Sequence, residues 1–506
     1  MGLFNSIVSW AMKYRFSQME RFMYNPHEVQ ADVLEQLLLS ARHTEFGKQY
    51  NFKSVENYKT YSERVPVHSY EKFYPYIERL MRGEQNILWP SEVKWFSKSS
   101  GTTNARSKFI PVTTEALENC HFKGGKDLLS IYINNHPDTK IFDGKGLGVG
   151  GSHQLNELDP TATSYYGDVS AVIMQNLPVW AEFIRTPSLQ TALMNNWEEK
   201  LAKMAEETAK VNVTQIAGVP TWTILLIQRI VELSGKKNIL EVWPSLEVFF
   251  HGAVAFGPYR TLFKSLIPSD RMNYYETYNA SEGFFGLQDQ KNSEELLLML
   301  DYGIYYEFIP VDHVADENPK AKSLDEVELG KNYAMLITTN AGLWRYNIGD
   351  TVKFTSKNPY RIKISGRTKH FINAFGEEVI VENAEHAIAK ACEATNSIIS
   401  NFTAGPVYLQ EGKKGGHEWI IEFTRKPDNA NRFTELLDKA LRSVNSDYDA
   451  KRVGDLALVA PTVHIVEEGT FYQWMKSRGK LGGQNKVPRL SNTREYVDDL
   501  LKQIRR

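Results

Sequence analysis

The stretch Ser97-Lys98-Ser99-Ser100-Gly101-Thr102-Thr103-Asn104-Ala105-Arg106-Ser107-Lys108 constrains the fold more than any other part of the chain. An apolar-aromatic lead-in, Val93-Lys94-Trp95-Phe96, and a strand-like exit, Phe109-Ile110-Pro111-Val112, hold a hydroxyl-rich loop between them. Side-chain hydroxyls and backbone N–H groups packed this densely suit an anion such as a triphosphate. Gly101 lets the backbone turn and approach it, and Arg106 and Lys108 bring positive charge. The spacing is not that of a Walker A loop. Taken alone, the run reads equally as a serine-rich turn.

Composition narrows the classes. A chain of 506 residues exceeds one hydrophobic core, so two or three domains of ~100–200 residues are expected. A formal net charge of −2 gives no electrostatic case for nucleic acid. Two cysteines, Cys120 and Cys392, make neither a disulfide framework nor a four-ligand zinc site, and fit a reducing cytoplasm. No apolar run approaches the ~18–20 residues that span a bilayer, and no secretory leader pattern precedes the chain's first helix. Met1-Gly2-Leu3-Phe4-Asn5-Ser6 fits a loose myristoylation pattern, but its apolar residues are read as the buried face of that helix. No stable membrane association is expected, and a monomer is the default.

Periodicity organises the rest. Val29, Val33, Leu34, Leu37 and Leu38 recur at helical steps, as do Leu201, Met204, Ala205 and Thr208. Val219-Pro220 opens a helix that ends near Gly235. Gly144 to Gly151 reads as a turn at a strand end. Val248–Phe250 and Tyr274–Tyr278 read as short buried strands, and 296–300 with 304–309 as a strand pair around Asp301-Tyr302-Gly303. A basic, turn-bearing stretch after Asp350 reads as a hinge. The divisions expected are residues 1–355 as a large domain, 356–366 as the hinge and 367–506 as a smaller α+β domain. In the last, strands at Val407–Leu409, Glu418–Phe423 and Val463–Val466 alternate with helices at Glu382–Cys392 and Arg432–Asn445. The fold class is α/β (α+β), with sheets flanked by helices.

Four further clusters carry chemistry. In Tyr275-Glu276-Thr277-Tyr278-Asn279-Ala280-Ser281-Glu282-Gly283, a strand runs into a polar turn, at the edge where open sheets bind ligands. Tyr278 is suited to stack on a purine, Ser281 to bond a phosphate and Glu282 to hold Mg²⁺; a capping turn with Ser281 as helix N-cap would read the same way. In Gly342-Leu343-Trp344-Arg345-Tyr346-Asn347-Ile348-Gly349-Asp350, the Asp350 carboxylate suits ribose hydroxyls, or a surface turn. Ser365-Gly366-Arg367 precedes Phe375-Gly376-Glu377-Glu378-Val379, and Lys486 sits on the constrained Gly482-Gly483-Gln484-Asn485-Lys486-Val487-Pro488-Arg489 loop.

In this order the five clusters resemble the adenylate-forming superfamily, and within it the auxin-responsive acyl-acid amido synthetases (the Gretchen Hagen family) and their bacterial relatives. Ser99-Ser100-Gly101-Thr102-Thr103, Tyr278-Asn279-Ala280-Ser281-Glu282 and Arg345-Tyr346-Asn347-Ile348-Gly349-Asp350 carry the resemblance. Gly218-Val219-Pro220-Thr221-Trp222, the run from Val242 to Gly252, Gly469-Thr470-Phe471 and Asn485-Lys486-Val487-Pro488-Arg489 separate it from coenzyme A ligases. The likeness covers about Phe16 to Leu490.

The resemblance implies a large ATP- and acyl-acid-binding domain, a mobile small domain and an enzyme using ATP and Mg²⁺. Such an enzyme adenylates a small carboxylic acid and transfers the acyl group to the amine of an amino acid. It implies that Ser99, Ser100 and Thr103 contact the phosphates, Gly252 and Ala253 lie along the adenine, and Tyr278, with Asn279 beside it, stacks on the base. Ser281 then meets the α-phosphate, Glu282 ligates magnesium, Asp350 binds the ribose with Arg367 assisting, and Lys486 swings in as the catalytic lysine. Asn104, where many adenylate-forming enzymes have glycine, leaves the contacts of Arg106 and Lys108 open. The acyl pocket is expected near Tyr165, Trp222 and Phe284. An acyl-coenzyme A ligase and a catalytically silent nucleotide-binding protein are the alternatives.

Overall fold

The structure is a computed structural model that describes residues 14–99, 108–158, 163–179, 181–314, 316, 318–368, 371–410, 413–455, 457–478 and 487–504. Ser100, Thr103, Arg106 and Lys486 lie outside the described residues.

An 11-stranded mixed sheet forms the frame. Its order is Ile304–Pro310, Asn332–Thr339, Tyr346–Lys357, Tyr360–Arg367, Leu296–Leu298, Gly283–Leu287, Asn273–Ala280, Val248–His251, Val213–Gly218, Lys145–Val149 and Arg185–Thr186. From Ile304–Pro310 to Asn273–Ala280 the pairs are antiparallel. From Asn273–Ala280 to Arg185–Thr186 they are parallel. The parallel half has the sequence character that two covered faces require: all four residues of Val248–His251 are buried. Its covering helices include Trp197–Thr208 and Pro220–Ser234; the latter ends at Gly235, whose φ of 62° supplies the left-handed C-cap that glycine adopts without strain. A second, four-stranded sheet runs Lys108–Val112, Trp95–Ser99, Tyr165–Gly167 and His153–Leu155.

The helical readings hold at Pro26–Ala41, where Val29, Leu34, Leu37 and Leu38 are buried, and at Trp197–Thr208 and Pro220–Ser234. Three local expectations change. Residues 145–149 of the glycine-rich connection are themselves a strand. Leu296–Leu298 and Ile304–Pro310 are strands but do not pair with each other: the first lies between Gly283–Leu287 and Tyr360–Arg367, the second at the sheet's far edge against Asn332–Thr339. The reason is visible at the turn, where the Gln30 amide donates to the Leu300 and Ile304 carbonyls at 2.8 and 2.9 Å and the Asn340 N–H donates to Gly303 at 3.0 Å. Those polar groups are satisfied by a helix and a loop instead of a hairpin ladder. Residues 356–366 lie in the Tyr346–Lys357 and Tyr360–Arg367 hairpin of the large sheet, and the chain leaves that sheet after Arg367.

The C-terminal part holds a three-stranded sheet of Ile398–Val407, Gly416–Arg425 and Thr462–Val466 with helices Val381–Thr395, Ala430–Val444 and Glu495–Ile504. Its first strand begins nine residues before the Val407 expected from sequence. One apolar core runs from the parallel strands into this part, taking in Phe249 and Phe263 on one side and Phe375, Trp419 and Leu441 on the other. No helix of the described residues is long and apolar enough to cross a membrane.

Candidate functional site

The parallel strands end together. Val149 stands opposite Gly218, Gly218 opposite His251, and His251 opposite Glu276, so Gly150, Val219, Gly252 and Thr277 follow along one edge. This is also where the sheet changes from parallel to antiparallel pairing, the crevice in which open sheets bind ligands. Backbone chemistry at the edge is exacting. A Cβ on Gly252 would lie 2.5 Å from the Thr277 carbonyl oxygen, and Ala253 holds φ at 69°. Only a residue without a side chain fits the first position, which leaves bare backbone at this edge.

Asn273–Ala280 is joined to Gly283–Leu287 by a turn of two residues, Ser281-Glu282, with Ala280 opposite Gly283. Ser281 therefore sits in a hairpin and does not cap a helix. On the same strand Tyr278 is buried, its ring 4.9 Å from that of Phe285, and its hydroxyl donates to Asp350 Oδ2 at 2.7 Å. The other oxygen of Asp350 meets Arg367 Nε at 2.8 Å, because Asp350 and Arg367 face each other across the hairpin of Tyr346–Lys357 and Tyr360–Arg367. Gly349, at φ 86°, permits the irregular backbone there, and its carbonyl accepts from the Thr368 N–H at 2.8 Å. The Arg367 guanidinium also pairs with Glu378 and lies 5.5 Å from the Phe371 ring centroid. Arg367 thus ties the edge of the large sheet to the segment that begins the C-terminal part.

Ser99 closes the arrangement, standing opposite Lys108 across the paired strands Trp95–Ser99 and Lys108–Val112. Burial pushes the Lys108 ammonium below its ordinary value, with Glu282 the largest influence holding it up. Burial in turn raises the Glu282 carboxyl, with Lys108 opposing and Asp350 adding to the rise. Two carboxylates and two cations from four strand ends or turns therefore share one field. Lys108 lies 5.8 Å over the Tyr70 ring, whose hydroxyl accepts the Phe109 N–H at 2.8 Å. Glu276, half-buried beside His251 and one position short of Thr277, is pushed up to about 7 by burial and by Glu294.

Of the residues expected from sequence, Ser99, Tyr278, Asn279, Ser281, Glu282, Asp350 and Arg367 are gathered around this edge, with Gly252 and Ala253 on the neighbouring strand end. The three aromatic candidates are spread out. Tyr165 stacks on Trp95 at 5.0 Å. Trp222 packs on Trp197 at 3.9 Å, and the Lys451 ammonium lies 5.5 Å from its ring centroid. Phe284 is buried against Gly124 and 6.2 Å from Tyr302. Arg345, inside the Gly-Asp motif, is structural: it pairs with Glu307 at 2.8 Å, both side chains at most 6% exposed, and donates to the Ser62 and Val65 carbonyls at 2.7 Å. Sequence reasoning left Lys108 open and missed Glu378. The alternation that places Lys108 at the start of a strand opposite Ser99 was the available signal for the first. Glu378 offered none, since its neighbour is set by a turn through Gly376 at φ 82°.

Of Mg²⁺ and nucleotide, the side chains present fit both. A desolvated carboxylate at a hairpin tip is a hard oxygen donor, and bare backbone at Gly252-Ala253 beside an aromatic strand suits a flat base.

Comparison with known proteins bears on most of the chain. Residues 15–272 match the family model described as the GH3 family N-terminal domain, 297–367 its central domain and 382–495 its C-terminal domain. An indole-3-acetic acid-amido synthetase of Arabidopsis thaliana, GH3.4, is 24% identical over 544 aligned positions, covering 93% of this chain and 90% of its own length. The 4-substituted benzoates-glutamate ligase GH3.12 of the same plant is 23% identical, covering 93% and 94%. Among solved structures, the GH3.15 acyl acid amido synthetase in complex with 2,4-DB superposes with a TM-score of 0.62 at 18% identity, covering 97% of this chain and 96% of that one. A 2-hydroxyisobutyryl-CoA ligase with 2-HIB-AMP and CoA gives 0.58 at 14% identity, covering 94% and 91%, a likeness of fold.

Proposed function

The chain belongs to the GH3 family, and from that premise we propose that it is an ATP-dependent acyl-acid amido synthetase. It converts a small carboxylic acid to an acyl-adenylate and passes the acyl group to the amine of an amino acid. The observation that carries this reading is the convergence of Ser99, Lys108, Glu282, Tyr278, Asp350 and Arg367 at one sheet edge, in a chain that an amido synthetase matches over 93% of its length.

A carboxylate resists attack by an amine because oxide is a poor leaving group. When the acid's oxygen attacks the α-phosphorus of ATP, pyrophosphate departs and the carboxyl becomes a mixed anhydride. The amine nitrogen, in its neutral form, then attacks the acyl carbon, the C–O bond to AMP breaks, AMP leaves with the electron pair, and the nitrogen gives up one proton to water. Neither step needs a covalent enzyme nucleophile, so the residues position and neutralise.

In this assignment Ser99, Ser100 and Thr103 hold phosphate oxygens, with Lys108, opposite Ser99, adding positive charge. Gly252 and Ala253 lie along the base, Tyr278 and Asn279 against it, and Ser281 at the α-phosphate. Asp350 takes the ribose hydroxyls, held in place by Tyr278 and Arg367. Glu282 is the ligand for Mg²⁺, which when bound supplies charge neutralisation at the phosphates. Lys486 serves the α-phosphate and acyl carboxylate. Tyr165, on the strand that pairs with Trp95–Ser99, is the aromatic assigned to the acyl group. The small part is assigned a closing motion about the segment after Arg367, where Arg367 meets Glu378.

The test offers the protein panels of aromatic, fatty and short carboxylic acids with MgATP, and then amino acid or coenzyme A. Acid-dependent pyrophosphate exchange with amide accumulation is expected; thioester accumulation would make the protein a coenzyme A ligase, and no exchange with any acid would make it a silent binder. Lys486→Ala is expected to abolish exchange while nucleotide binding stays measurable by calorimetry; exchange at the wild-type rate would remove Lys486 from its role.

A further inference from the structure

Beside the nucleotide edge, one buried polar atom stands alone. The Tyr346 side chain is wholly buried, and among the described residues its hydroxyl has no hydrogen-bond partner. Buried hydroxyls in folded proteins are nearly always bonded, and a lone one is costly. Packing does not call for this oxygen. A phenylalanine would fill the same space against Phe73, whose ring meets that of Tyr346 edge-on at 5.9 Å.

The backbone on both sides fixes where this hydroxyl sits. Tyr346 opens the strand Tyr346–Lys357, four residues before Asp350, and stands opposite Ile337 in the large sheet. On its other side it bridges to His68. The His68 N–H donates to the Arg345 carbonyl, and the Asn347 N–H to the His68 carbonyl, both at 2.9 Å. Two residues past His68, Tyr70 holds the Lys108 ammonium over its ring and accepts the Phe109 N–H. Tyr346 is thereby brought to the phosphate side of the nucleotide edge. Burial raises its hydroxyl well above the ordinary value, so it remains a donor. Of the groups acting on it, Glu282 is the strongest, followed by Tyr70, Arg367 and Glu71.

We propose that Tyr346 is a positioning residue for the metal: its hydroxyl donates to the Glu282 carboxylate oxygen that Mg²⁺ leaves free. The proposal rests on the reading of Glu282 as the Mg²⁺ ligand. A carboxylate that grips a cation through one oxygen needs a donor on the other, or it swings between orientations. A neutral O–H meets that need without cancelling the charge that draws the cation in, as a further ammonium would. Held from the bridge to His68, the hydroxyl fixes the direction in which Glu282 presents its remaining oxygen.

The test is Tyr346→Phe, which removes one oxygen and keeps the ring. Urea denaturation of the metal- and nucleotide-free protein is expected to give a midpoint equal to or above that of the wild type, because no bond is lost. Affinity for ATP is then measured by calorimetry in EDTA and in saturating Mg²⁺, with no acid present. The wild type is expected to bind roughly a hundredfold tighter with Mg²⁺ and Y346F only about tenfold tighter, their affinities in EDTA being equal. In E282Q the gain from Mg²⁺ should vanish, and adding Y346F to it should change nothing further, the mark of a residue that acts through Glu282. A lowered urea midpoint in Y346F, or the full Mg²⁺ gain, would overturn the proposal. So would a further loss in the double variant, which would put the hydroxyl on the nucleotide itself. A gain that survives in E282Q, or a wild type that binds no ATP, would instead overturn the reading of Glu282 on which the proposal rests.

Discussion

Replacing Glu276 with Gln tests the electrostatics of the strand that carries Tyr278. Burial, with Glu294 nearby, raises the Glu276 carboxyl from its ordinary 4.5 to about 7, while Arg260 and Lys363 pull it back. The folded chain therefore holds a proton that the unfolded chain has lost between those two values. Folding stability falls as pH rises through that window and stays at the lower level above it. At ~1.4 kcal/mol per pKa unit, the rise corresponds to about 3 kcal/mol, and partial solvent access reduces this to about 2 kcal/mol. Gln keeps the shape of the protonated acid and cannot ionise. Equilibrium urea denaturation followed by tryptophan fluorescence should find Glu276→Gln about 2 kcal/mol more stable than wild type at pH 8, and the two equal near pH 4. A difference that is the same at both pH values, or a wild type that gains stability toward pH 8 relative to the variant, would refute the reasoning.

Two further substitutions probe the frame. Gly252→Ala places a Cβ 2.5 Å from a carbonyl oxygen on a central strand; overpacking of this kind costs ~1–3 kcal/mol, and the displaced Thr277-Tyr278 pair should raise the KM for ATP by roughly tenfold. An unchanged KM and urea midpoint would show that this edge has room to spare. Arg345→Leu leaves Glu307 buried without its cation and should cost about 3–5 kcal/mol, while the double variant with Glu307→Leu recovers most of it in the same denaturation assay.

Much of the site was legible because its chemistry is local. The hydroxyl loop, the Tyr278-Asn279-Ala280-Ser281-Glu282 turn and the Gly349-Asp350 step each announce themselves within a few residues, since turns and ligand-facing backbone need particular small or polar residues at fixed offsets. The same holds for Pro220–Ser234, bounded by a proline at its start and Gly235 at its end. Pairing was not legible. Leu296–Leu298 and Ile304–Pro310 look like neighbours in sequence and lie at separate places in the sheet. Arg345 sits inside the Gly342–Asp350 polar cluster and spends its guanidinium on a buried glutamate and two loop carbonyls.

By itself, the order of residues along this chain determined its family resemblance, its polar clusters and the periodicities of its main helices, because those depend on side-chain chemistry and short-range backbone preference. Tertiary structure alone decided that Lys108 shares a field with Glu282, that Asp350 is held between Tyr278 and Arg367, and that Lys451 reaches Trp222 from another part of the molecule. Such partners lie tens to hundreds of residues apart, and what brings them together is strand registry and the burial of a common core, neither of which leaves a mark in any one segment.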